Sequence, residues 1–510
     1  MKKRIKIIAS VTAFLVLAGQ PINSQSKYDY VWINGYDSTL DDGIEGLCFD
    51  FNNSLNTEKC ESALEFYLSN ASICDDNGKL LLYTNGCKIA NGNHQIIENG
   101  DSINYGPFLE YFWDPDCQDG YPGGQDHLIL NDPANDKGYY LIHKTVDIGD
   151  PRDIEISIQD IKYTYISFEH NPNGSVLEKN VPFFEEEVLW SYLTAIRHSN
   201  KSDWWIIQPS VYKNQYCIFL LDENGISLNT KIEIGPELGP EASAAGFTRF
   251  SPDGTKYAFF NLRNGLLLYD FDRSTGIISN LKTLDPIKED SILTSIEFSP
   301  NSNYLYITAR DTLWQVDLSI DDLNEGLEFI DEWDGSLDPF PTYFYKLLLG
   351  PDCKIYVSTT SSSNTFHVIN QPNEKGKACE FIQRGIELPV KSSVSNLPNF
   401  PRFRVDETEV CDSTITSLFG KEIFIRKDLK AFPNPVSDII NIELPEGVTG
   451  TIKVYNTNLQ LIKNYGLIHS PNDIITLNVN EIPLGSYFIE FEPFGNTSNI
   501  IYSTKIIVSR

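Results

Sequence analysis

The chain has no apolar run long enough to cross a bilayer as a helix, which takes roughly 18 to 20 residues. Its longest candidate, Ile7 to Ala18, falls short of that and follows Lys2, Lys3, Arg4 and Lys6. A basic start, a short apolar run and small or polar residues up to Gln25 make the pattern of a secretory signal peptide over residues 1–25. Gln20 stands where a lipid-bearing cysteine would follow Leu17-Ala18-Gly19, so an exported chain without a lipid anchor is expected. Basic charge is scarce too: 40 Lys and Arg stand against 70 Asp and Glu, a formal net charge of −30. Nucleic-acid phosphates demand a basic face, and that class of partner is excluded. The acidic residues are scattered rather than blocked, as on a solvated surface.

Several catalytic signatures are missing as well. There is no GxSxG elbow to expose a serine nucleophile, no HExxH zinc helix and no glycine loop for phosphate. Ser251-Pro252-Asp253-Gly254 lacks the residue that the sialidase Asp-box has between Asp and Gly. The nine cysteines include no CxxC pair, which argues against a zinc site. Five of them lie between 48 and 117, and export permits disulfides, so one or two local bridges are expected there. Their pairing is open, and an odd count leaves at least one cysteine unpaired within the chain.

What is present is a repeat. Phe250-Ser251-Pro252-Asp253-Gly254 leads into the apolar run Lys256 to Phe260 and, after Asn264-Gly265, into Leu266 to Asp270. Pro-Asp-Gly supplies turn conformations between short strand-forming runs. The unit returns at Pro300 and Pro351, 48 and 51 residues along. Earlier copies turn near 77, 137 and 202. Four-stranded units at this period are the mark of a β-propeller. Three N-terminal strands, Tyr28–Ile33, Gly46–Phe51 and Ala63–Leu68, precede the first repeat, and one near Val394 to Phe403 follows the last. Joined, these make a seventh blade that closes the ring and removes its open edges. The fold expected is therefore all-β: a seven-bladed propeller over 26–407, a linker over 408–430, and a small β-sandwich over 431–510.

Two insertions, 98–124 and 147–190, lengthen the early blades, and long loops on a rigid scaffold are where binding concentrates. The first carries Tyr111, Phe112, Trp113 and Tyr121, rings that could stack on sugar, or else local core. Between them, Asp114, Asp116 and Asp119 alternate before Gly120, a spacing that suits calcium or an ordinary acidic turn; calcium is the one cofactor considered. His94, His127 and His143 are near enough in sequence to converge on a metal, though a histidine beside an apolar strand is more often structural. No catalytic residue is named.

Phe432-Pro433-Asn434-Pro435-Val436-Ser437-Asp438, Val454-Tyr455-Asn456, Gly485-Ser486-Tyr487-Phe488 and the terminal Lys505-Ile506-Ile507-Val508 resemble the type A C-terminal sorting domain of the type IX secretion system of Bacteroidetes. Asn456 and Leu459 depart from the family pattern, both in one turn. The resemblance implies an address recognised by the secretion machinery, and a protein secreted or held at the cell surface after passing through the periplasm. Residues 44–145, through Ala71–Asp75 and Gly78–Gly86, are similar to large propeller proteins secreted by the same bacteria, as Asn396–Phe400 is to their closing strand. That likeness implies fold alone. The expectation is a propeller with a binding, adhesion or structural role toward extracellular glycan or protein. The alternative is an extracellular propeller hydrolase or lyase acting on glycan or peptide.

Overall fold

The computed structural model describes residues 26–35, 44–66, 69–111, 113–118, 120–150, 153–240, 246–287, 294–393, 395–405, 425–444, 449–456, 461–469, 474–480, 482–493 and 500–509. Seven antiparallel sheets precede the C-terminal unit. Blade 1 has three strands, Val31–Asn34, Leu47–Asp50 and Asn56–Lys59, and blade 2 three, starting at Ala71–Cys74. Blades 3 to 7 have four each and start at His127–Asn131, Thr194–Arg197, Gly246–Phe250, Thr294–Phe298 and Leu347–Leu349. This is the expected propeller.

Strand position sets composition. The first strands of blades 5 and 6 are buried at every residue, as is Trp204–Pro209 in blade 4, because neighbouring blades cover both of their faces. Such strands read as continuous apolar runs. Outer strands such as Gly225–Leu238 are exposed or half-buried at all but the last residue. The first turns repeat their chemistry. Ser251 Oγ accepts the N–H of Lys256 at 2.9 Å and donates to Asp253 Oδ1 at 2.5 Å; Ser299 does the same with Tyr304 and Asn301, at 2.9 and 2.7 Å. Each turn then needs one left-handed residue, filled by Gly254 (φ 70°), Ser302 (φ 61°) and Cys353 (φ 67°).

Ring closure differs from expectation. The two ends of the domain do meet: Glu45 N–H bonds the Lys391 carbonyl at 2.9 Å, and Trp32 and Phe49 pack on Tyr356 and Phe366 of blade 7. Yet the described part of 394–403 does not become a fourth strand of blade 1, whose sheet ends at Asn56–Lys59. Residues 395–405 run along the axis instead, beside the first strands. Asn399 N–H bonds the Asn70 carbonyl at 2.8 Å and Arg402 N–H that of Ala195 at 2.8 Å. Leu397, Phe400 and Phe403 are buried there, and apolar walls on several sides outbid a single sheet edge.

The insertion 147–190 is also not a long loop: Gly138–Asp150, Asp153–Ser167 and Ser175–Phe184 are extended strands of blade 3. Disulfides join Cys48 to Cys60 and Cys87 to Cys117, Cys353 is disulfide-bonded, and Cys74, Cys217 and Cys379 are free and buried.

The second compact unit pairs a five-stranded with a three-stranded sheet. Ile440, Ile442, Ile452, Val454, Ile489, Phe491 and Ile506 fill the space between them, a small sandwich as expected. It takes in Ile425–Asp428, assigned above to the linker, which pairs parallel with Ile500–Ser503. Residues 1–25, where a signal peptide is expected, and residues 406–424 lie outside the described residues.

Candidate functional site

The loop between blades 2 and 3 is built on a buried footing. A short helix, Pro107–Tyr111, sinks Phe108 and Leu109 into the core, and the Cys87–Cys117 bridge ties the loop back to blade 2. Tyr121 belongs to that footing rather than to the surface. It is 1% exposed, its hydroxyl accepts the Val146 N–H at 2.6 Å, and its ring meets Phe108 at 5.9 Å. Burial pushes its pKa well up. Tyr111 is 69% exposed and Tyr105 56%, while Trp113 at 36% stacks one face on Phe108 and donates Nε1–H to the Gly120 carbonyl at 3.1 Å. Phe112 and Asp119 lie outside the described residues.

Asp114 is occupied by its own turn: Oδ1 accepts the Asp116 N–H at 3.1 Å and Oδ2 that of Gln118. Asp116 is exposed. Among the described residues no three His, Cys, Asp or Glu side chains gather as metal ligands. His127 and His143 do converge, on Asn104 rather than on a cation. Asn104 Nδ2 lies 3.1 Å from His127 Nε2, and its Oδ1 lies 2.6 Å from His143 Nδ1. His94 Nδ1 is 3.1 Å from the Tyr83 hydroxyl.

Connections from a last strand to the next blade's first strand open on the face where the inner strands begin, as do the turns between second and third strands. Tyr105 to Tyr121 lie there, bonded to the second turn of blade 2 through Tyr121 N–H to the Asn85 carbonyl at 2.8 Å. So do Tyr212, Leu337 and Phe340, which are 52%, 65% and 50% exposed. Large apolar side chains from three connections thus share one face.

Behind that face lies a cluster of buried polar groups, a constellation sequence reasoning missed because its members are far apart in the chain. Lys144 Nζ meets Asp126 Oδ1 at 2.6 Å, the carbonyls of Leu189 and Ser191 at 3.1 and 2.6 Å, and Gln208 Oε1 at 3.1 Å. Burial lowers its pKa and Asp126 opposes the shift. Lys346, 3% exposed, is pushed down to about 7 by burial, helped by Arg249 and opposed by Asp126. Asn399 Nδ2 donates to the His127 and Leu193 carbonyls at 3.1 and 3.2 Å, and its Oδ1 accepts from Gln125 Nε2 at 3.2 Å. The channel is filled by the chain itself.

In the C-terminal unit the matching motif residues converge. Asn434 Nδ2 donates to the Lys505 carbonyl at 2.8 Å and its Oδ1 accepts the Ile507 N–H at 2.9 Å, while Val436 N–H bonds the Ile507 carbonyl at 2.8 Å. Pro433 and Pro435 flank that contact, Phe432 is 44% exposed, and Tyr487 is buried beside Gly485. Residues 430–509 match the family described as the secretion system C-terminal sorting domain. The C-terminal unit is a type IX secretion sorting domain. Its sorting domain marks the protein as secreted or displayed at the cell surface, and no helix among the described residues is long and apolar enough to cross a membrane.

No curated protein matches the chain. Among solved structures it is similar to PorZ of Porphyromonas gingivalis, a surface component of the type IX secretion system, at 12% identity and TM-score 0.35 over 91% of this chain. The chain spans 63% of that protein's length. It is also similar to the periplasmic gluconolactonase of Pseudomonas aeruginosa (10% identity, 72% of this chain, 97% of that one, TM-score 0.38). A protein of Desulfotomaculum acetoxidans matches at 14% identity, over 72% of this chain and 99% of its own, with TM-score 0.37. At such scores these likenesses carry no functional argument.

Proposed function

We propose that the propeller is the recognition module of this exported protein and binds extracellular glycan on the face that carries Tyr105, Tyr111 and Trp113. One observation supports this reading above others: exposed rings stand on a disulfide-braced loop, with the Asp116 and Glu110 carboxylates beside them. Rings stack on the apolar faces of sugars, and carboxylates accept their hydroxyls. A braced loop loses little entropy on binding. The filled channel directs attention to this outer face.

The test is a screen of the full-length protein against glycans and polypeptides, with and without calcium. Retention of a glycan should be lost in Trp113→Ala and Tyr111→Ala. Tyr111→Ala should change stability by less than about 0.5 kcal/mol, because its ring is exposed. Undiminished retention by both variants, or capture of polypeptides alone, would count against the proposal.

A further inference from the structure

The opposite mouth of the channel, where the first strands end, holds a cavity of about 40 Å³ lined by Asp29, Arg249, Glu297, Arg402 and Arg404, among others. Three guanidinium groups face two carboxylates there, a local positive excess in a chain of net charge −30. Glu297 holds Arg249 Nε at 3.2 Å and Arg402 Nη2 at 2.6 Å, and Asp29 Oδ2 holds Arg404 Nη2 at 2.9 Å. The pairing is incomplete in two opposite senses. Arg402 bonds through Nε and Nη2, leaving Nη1 for a further acceptor among the described residues. Asp29 Oδ1 is buried and accepts no hydrogen bond among them. A buried carboxylate oxygen left without a donor is costly, and native structures seldom tolerate one without a reason.

We propose that this cavity binds a small protonated oxyanion, hydrogen phosphate being the simplest, with the arginines taking its oxygens and Asp29 Oδ1 accepting its proton. The volume fits: each water needs about 10–15 Å³ of such space, so the cavity takes about three waters or one tetrahedral anion. Guanidinium groups suit phosphate oxygens through their fixed fork of donors. Asp29 sets specificity. Phosphate keeps a proton at neutral pH and can donate it, whereas sulfate has none and would bring a bare oxygen against Oδ1.

The experiment is calorimetric titration of the full-length protein with inorganic phosphate and with sulfate at matched ionic strength. Saturable phosphate binding, at least about tenfold tighter than sulfate, is expected from one charge-assisted hydrogen bond gained or lost. Asp29→Asn puts an amide donor where the acceptor stood, so the preference for phosphate should shrink or reverse. That change also removes a partner of Arg404; Arg402→Gln is therefore the second variant, expected to weaken both anions alike. Trp113→Ala, on the other face, should leave phosphate binding unchanged, which separates this proposal from the glycan reading. No saturable heat with phosphate, or equal affinity for phosphate and sulfate in the unmodified protein, overturns it.

Discussion

His127 is held in its neutral form by the amide that faces it, and His143 by its burial. Asn104 Oδ1 accepts from His143 Nδ1, and its amide donates to His127 Nε2, so a proton added at Nε2 would meet a donor. Burial drives His127 down to about 4 and His143 well below its usual value. In the unfolded chain both would titrate near 6.5. The folded state therefore refuses protons that the unfolded state takes up, and stability falls as pH drops from about 6.5 toward 4. The loss from His127 is roughly 3 kcal/mol at the lower end. Urea melts at pH 7, 5.5 and 4.5 should show that slope, and His127→Gln should reduce it by His127's share, leaving those of His143 and His367, which burial also drives down. An unchanged slope in the variant would mean that other groups carry the pH dependence.

The first turns and the strands around them were legible because their chemistry is local: Ser251, Asp253 and Gly254 bond within a few residues of themselves. The third strand of blade 1 was not, since Asn56–Lys59 is polar and exposed and leaves no apolar pattern. Asp153–Ser167 did carry an alternating pattern, which its length disguised as an insertion. Trp113 and Tyr121 offer the same chemistry in sequence, and only packing decides which is surface and which is core. The segment near 394–403 was legible as a closing piece but not as an axial one, because its partners are remote: Asn70 Nδ2 bonds the Asn396 carbonyl across 326 residues of chain. Asn399→Ala would strip donors from two buried carbonyls and an acceptor from Gln125, at about 1–3 kcal/mol for each group left unpaired. A chain ending at 405 should keep cooperative unfolding, and one ending at 394 should lose several kcal/mol or aggregate. Equal denaturation midpoints for the two truncations would show that the segment is a passenger.

At the scale of the whole molecule, the chain forms two compact units, and the C-terminal one carries the secretion address. The sandwich closes on its own residues, from Leu429 and Val436 to Ile506 and Val508. Its terminal strand is held by Asn434 from the other end of the unit, so the motif residues define one local structure rather than scattered marks. Ile425–Asp428 adds an edge strand to it, and a clean excision therefore has to start before 425 rather than at 431. If residues 1–25 act as the expected signal peptide, a chain ending at 405 should fold, cross the inner membrane and stay in the periplasm, because the sorting domain is gone. Asn434→Ala is the finer probe, since it removes two hydrogen bonds to the terminal strand, each worth about 1 kcal/mol, while that strand stays paired with the one starting at Gly485. Fractionation of cells making each form checks both. The truncated protein should be confined to the periplasm and the Asn434 variant reduced outside the cell, whereas equal amounts of truncated and intact protein at the surface or in the medium would mean that the export information lies within the propeller.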